Sequence, residues 1–256
     1  MSPPFPLRWG RPEAERAHVN NLEKALKAGP NYPKECVGAS DALFPVPDAV
    51  RNAGPWCVRR LVRVVGNGED DYDAAKNAVE SFKNFRVRWP FGFGGAFAAA
   101  GLRRNGRGTV RPPPAKPGNT YCVMAGLAGI WSIGPLRVLY KKEGPVQAGS
   151  SAAETMTPPR GWRPGKDRRR FKKNGKRFAV GSGCLSGHLL CGEERFEVTY
   201  DGDTGDVRYE VASFSRPAGP LGAAVYPVAW LLQGAFAHAS CRAVEDAVRI
   251  EAAAAT

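Results

Sequence analysis

The chain has 256 residues, 43% of them hydrophobic, and its 37 Lys and Arg outnumber 24 Asp and Glu for a formal net charge of +13. That apolar share supports a sizeable core, while 30 Gly and 22 Pro favour strands and turns over helices. A coiled coil, a collagen and a disulfide-stapled miniprotein are therefore excluded.

Residues 1–55 read as an irregular N-terminal extension partly packed on the main domain, with one short helix over Glu13–Ala28 closed by Gly29-Pro30. The start is Pro-rich and carries Glu13 and Glu15, which is not a secretory pattern. Six scattered cysteines without a C-x-x-C pair read as reduced thiols, so an intracellular setting is expected, cytoplasmic or organellar rather than secreted.

Residues 56–252 read as a single domain. Cys57–Val65 is a strand, broken by Gly66-Asn67-Gly68, and Glu69–Phe82 is a helix with acids in its first turn. Trp89–Gly101 shows no clear element. Strands come next at Thr120–Ala128, Leu136–Lys142, Arg177–Cys184, Glu194–Tyr200 and Val207–Ser215. In Glu194–Tyr200, Phe196, Val198 and Tyr200 share one face while Arg195, Glu197 and Thr199 share the other. Asp201–Asp206 is a hairpin turn.

Pro227 is expected in the first turn of a last helix, whose stripe runs Val228, Leu232, Phe236, Val244 and Val248. The uncharged stretch Pro217–Cys241 is long enough to cross a bilayer. Its Pro227, Gln233 and His238, and the charged tail Arg242–Glu251, favour a helix packed on the sheet, and no transmembrane span is expected. The order gives an α+β fold, a curved antiparallel sheet wrapped on a long C-terminal helix with an apolar cavity between them.

Two features carry the chemistry. Between Arg160 and Arg177 lie ten basic residues and one acid, a local +9, whereas from Ser186 onward ten acids face five arginines. Residues of about 148–176 thus read as a basic, disordered insertion. Within it Arg160, Arg163, Lys166, Arg168, Arg169, Arg170, Lys172 and Lys173 are candidates for an anionic partner, RNA or a membrane surface, with Trp162 and Phe171 available to stack. A solvated insertion without a ligand accounts for the same residues.

The second feature is a polar cluster: Gly181 to His188, Gly192-Glu193-Glu194-Arg195-Phe196, and Ser213 to Pro217. The hairpin is expected to bring Glu193 or Glu194 to Arg216. Ser186 and His188 have triad residue types without a G-x-S-x-G elbow, and Cys184, His188 and Cys191 lack an evident fourth zinc ligand. No catalytic residue, metal or cofactor is assigned. A structural ion-pair network and the head-group rim of a ligand cavity both remain open.

Over residues 31–250 the chain resembles a family of unknown function grouped with the START-like, helix-grip (SRPBCC) ligand-binding superfamily. The resemblance rests on Asn31-Tyr32-Pro33, Val37-Gly38-Ala39, Gly66-Asn67-Gly68, Leu136 to Tyr140, Gly183 to His188, Gly192 to Phe196, Ser213 to Pro217, and Gln233. Leu189 stands where the family usually has proline, and the basic stretch looks like an insertion. The resemblance implies a helix-grip fold with a cavity and no particular reaction. The expected partner is a small apolar or amphipathic ligand, as large as a lipid. Its candidate contacts are Trp131, Tyr140, Phe196, Phe214 and Trp230, with His188, Glu193, Glu194, Arg216 and Gln233 as polar determinants.

Overall fold

A computed structural model describes residues 7–9, 25, 27–88, 96–101, 103–104, 110–111, 114–146 and 175–254. In chain order the elements are β1 (Leu7–Trp9), α1 (Asp48–Asn52), β2 (Cys57–Asn67), α2 (Glu69–Glu80), β3 (Val87–Arg88), β4 (Ala96–Gly101), β5 (Arg103–Arg104) and β6 (Val110–Arg111). Then come β7 (Thr120–Leu127), β8 (Ile130–Pro145), β9 (Lys176–Cys184), β10 (Leu190–Tyr200), β11 (Asp206–Pro217) and α3 (Gly219–Ala254).

The main sheet is antiparallel in the order β2-β11-β10-β9-β8-β7-β4-β3, with β1 pairing β8 at Ile130–Ser132. Hairpins join β7 to β8 and β10 to β11, so sequence neighbours become sheet neighbours. The β10–β11 turn forms as its composition requires: Asp201 Oδ1 accepts the Asp203 N–H at 2.9 Å, and Gly205 supplies a φ of +76°.

α2 lays Tyr72, Ala75 and Val79 on the inner face of the sheet, and Phe82 ends it with a φ of +56°. α3 packs beside it through Phe236, Cys241, Val244 and Val248, against a core that includes Phe85, Tyr121, Phe196 and Tyr209. By length and composition α3 could span a membrane; its C-terminal half closes the core, whereas 11% of its most apolar 18-residue stretch is buried. The chain is thus an α+β helix-grip fold, a curled antiparallel sheet on a long C-terminal helix.

One expected boundary is wrong. α3 begins at Gly219, whose φ of +67° turns the chain out of β11, so Pro220 occupies the first turn. Pro227 lies inside the helix on an exposed surface, where water can serve the carbonyl it leaves free. Of Glu13–Ala28 only Ala25, Lys27 and Ala28 are described, all helical, and the basic insertion lies outside the described residues.

The outer face of the sheet is covered too. Tyr32, Cys36, Leu43 and Val50 pack on Cys191, Ala212 and Phe214. β10 and β11 are consequently buried on both sides, with charged residues on the outward one.

Candidate cavity and its polar rim

Strand parity decides which side chains enter the space between sheet and α3. Phe196 and Val198 belong to the inner core, so Glu194 points inward and Glu193, Arg195 and Glu197 point outward. On β11, Val207, Tyr209 and Val211 are inner, which brings Ser213 and Ser215 inward and sends Phe214 and Arg216 out. The result is a cavity of about 130 Å³ whose apolar body includes Phe85, Val123, Leu136, Leu190, Leu232 and Phe236. Its polar groups include Ser132, His188, Glu194, Ser213, Ser215 and Gln233.

Glu194 lies opposite Ser182 on one side and Ser213 on the other. No described residue hydrogen-bonds its carboxyl, and burial pushes it up to about 8. The Tyr121 and Ser182 hydroxyls also face inward; Ser182 lies near enough to lower the Tyr121 hydroxyl, short of a hydrogen bond of normal geometry. Gln233 reaches from α3 to Ser215, its Nε2 donating to Oγ at 3.2 Å.

His188 sits in the β9–β10 connection with its ring over Gly134, where any Cβ would strike it. The Leu190 N–H donates to Nδ1 at 2.9 Å, which leaves the ring proton on Nε2. Burial holds the imidazole down at about 4. A triad histidine donates from Nδ1 to a carboxylate, and here that nitrogen accepts, so the Ser186–His188 triad is ruled out. Glu194 is opposite Ser182, whose β8 partner Val138 lies four residues beyond Gly134, about 13 Å along the strand. Neither group perturbs the other, and the two mark different parts of the cavity. Among the described residues no three His, Cys, Asp or Glu side chains converge as a metal site requires.

Most of the other expected contacts lie elsewhere. Glu193 borders the cavity but turns its carboxyl to the outer face, accepting hydrogen bonds from Tyr32 Oη at 2.8 Å, Gly38 N at 2.6 Å and Ser40 N at 3.0 Å. Arg216 does not meet either glutamate: it donates to the Ala53 carbonyl at 3.0 Å and lies over the Trp56 ring. Phe214 packs edge-on against Trp56 on that outer face. Tyr140 is outer because a bulge between Val138 and Tyr140 resets the alternation; its ring covers Gly181 and its hydroxyl meets Ser40 Oγ at 2.8 Å. Trp131 is outer as well, folded over Gly126. Trp230 is 44% exposed on α3, under the Arg59 guanidinium. Phe196 is inner but stands behind the cavity wall, stacked edge-on to Phe85 and Phe236. The basic candidates Arg160 to Lys173 lie outside the described residues.

The outward charges form a clamp instead. Arg195, fully buried, donates to the carbonyls of Ser40 at 3.0 Å and Asp41 at 2.7 Å and pairs with Glu197 and Glu210. Burial alone would raise Asp41, but hydrogen bonds from Lys142 and Arg177 hold its carboxyl below the usual range.

Among solved structures the chain is similar to Ara h 8.0201, at 12% identity over 76% of this chain and 98% of that one, with a TM-score of 0.34. It is similar also to a point mutant of norcoclaurine synthase from Thalictrum flavum, at 8% identity over 75% and 98%, with a TM-score of 0.37. A UPF0548 protein of Arabidopsis thaliana is 29% identical over 93% of this chain and 95% of its own length. A UPF0548 protein of Dictyostelium discoideum is 26% identical over 72% and 69%. A family model described as a domain of unknown function, DUF1990, matches residues 46–243, and the chain belongs to that family.

Proposed function

We propose that the protein binds a small, largely apolar ligand between the sheet and α3. The observation that carries this reading is the cavity itself: apolar walls from β7, β8, β10 and α3, with hydrogen-bonding groups set into them at separate points. Its volume bounds the ligand. An engineered cavity of about 150 Å³ holds one benzene ring, so 130 Å³ suits a body of about one ring rather than a long acyl chain. Trp131, Tyr140 and Phe214, expected as ligand contacts, lie on the outer face of the sheet.

Protein-observed NMR during titration with toluene and benzyl alcohol tests the reading. Saturable shifts at Val123, Leu136, Leu232 and Gln233 are expected. Shifts confined to residues remote from these, or an experimental structure with the space filled by side chains, would overturn it.

A further inference from the structure

Glu194 is a half-buried carboxyl that lines a pocket with largely apolar walls and has no hydrogen-bond partner among the described residues. Among the described residues no Lys or Arg lines the cavity, and Ser182 and Ser213, which flank Glu194 across the ladder, donate nothing to it. The titratable groups facing it are Tyr121 on β7, Cys184 on β9 and Tyr209 on β11, all neutral because burial raises them. Arg59 on β2, the partner of Ser213, turns to the carbonyl of Trp230 at 2.9 Å. From α3 come Gln233 and Phe236.

This arrangement selects among ligands. With no cation in its wall, the cavity disfavours an anion. A neutral hydroxyl or carbonyl would be served by Ser213, Ser215 and Gln233 without any carboxyl. Desolvation makes even this half-buried acid costly to ionise, and an opposite charge in the pocket offsets that cost well. Resting on the cavity reading above, we propose that the occupant is a small amphipathic amine, a body of about one ring carrying one protonated nitrogen that pairs with the Glu194 carboxylate.

The proposal dictates a pH dependence. With its pKa near 8, Glu194 is about 1% ionised at pH 6 and half ionised at pH 8. An ammonium selects the ionised form and displaces the proton to solvent, so its affinity rises about 50-fold across that interval. A neutral ligand of the same shape gains nothing.

Isothermal titration of the full chain with benzylamine and with benzyl alcohol, at pH 6 and pH 8, separates the cases. Benzylamine is expected to tighten about 50-fold and benzyl alcohol to stay level in the unaltered chain, and Glu194→Gln to abolish the benzylamine rise. In the unaltered chain, carbon-13 NMR of the Glu194 carboxyl should show its pKa falling when benzylamine saturates, so the test does not depend on the variant. Benzyl alcohol binding with benzylamine absent or level with pH overturns the amine and leaves the cavity reading standing. Neither probe binding at either pH overturns both.

Discussion

Replacing Glu194 with glutamine should make the protein more stable, and more so as pH rises. The carboxyl ionises near 4.5 when solvated and near 8 in the folded chain. Between those values the native state holds a proton that the unfolded state has released, so stability from this group is full below about pH 4.5 and is lost as pH rises through 8. Each pKa unit is worth about 1.4 kcal/mol. From pH 5.5 to 8 the loss comes to about 3 kcal/mol, a large share of a typical domain's stability. Glutamine keeps the shape and cannot ionise. Urea unfolding of both proteins at pH 5.5, 6.5, 7.5 and 8 isolates the effect, because every other titrating group is common to the pair. Their difference should grow by about 3 kcal/mol across the series with unchanged m-values. Parallel curves would refute the reasoning and mean that Glu194 is solvated or paired.

Two glycines make a matched comparison, since each gives room to one ring on an opposite face of the sheet. Gly134→Ala drives a methyl into His188 and should cost about 1–3 kcal/mol in urea unfolding while also weakening any cavity probe. Gly181→Ala strikes Tyr140 and should cost a similar amount with probe affinity unchanged; equal loss of binding in both would mean the faces are not independent.

The fold was legible because the elements that make it are periodic. The inner face of β10 announces itself through Phe196, Val198 and Tyr200, and the acid-rich start of α2 is plain in the sequence. Carried backward, the same parity places Glu194 inward, and carried across the hairpin it turns Ser213 and Ser215 inward too, two members of the polar cluster not singled out as ligand contacts. Tyr140 was beyond reach: two residues after Val138 it should be inner, and only the bulge between them turns it out. Phe214 and Arg216 misled for another reason. An aromatic on a strand implies a buried face, and residues 30–53 supply a second buried face without any periodicity that reveals it.

Glu193 and Glu194 are adjacent and chemically identical, and the same substitution should have opposite results in them. Both oxygens of Glu193 are acceptors: Oε1 takes Tyr32 Oη and Gly38 N, and Oε2 takes Ser40 N. Glutamine presents an amide N–H₂ at one of those positions, so a donor faces a donor whichever way it turns. Hydrogen bonds to a charged group contribute about 1.5–3 kcal/mol each, and a buried donor left unserved costs a further 1–3. Glu193→Gln should therefore destabilise by roughly 3 kcal/mol, where Glu194→Gln stabilises. The loss should appear first where the clamp holds. Native-state hydrogen exchange reads the amides of Gly38 and Ser40 directly, and in Glu193→Gln both should exchange far faster than core amides of β9 such as Val180. If those two amides keep their protection, the outer segment is held by Arg195 and its carbonyl contacts alone, and Glu193 is not part of the clamp.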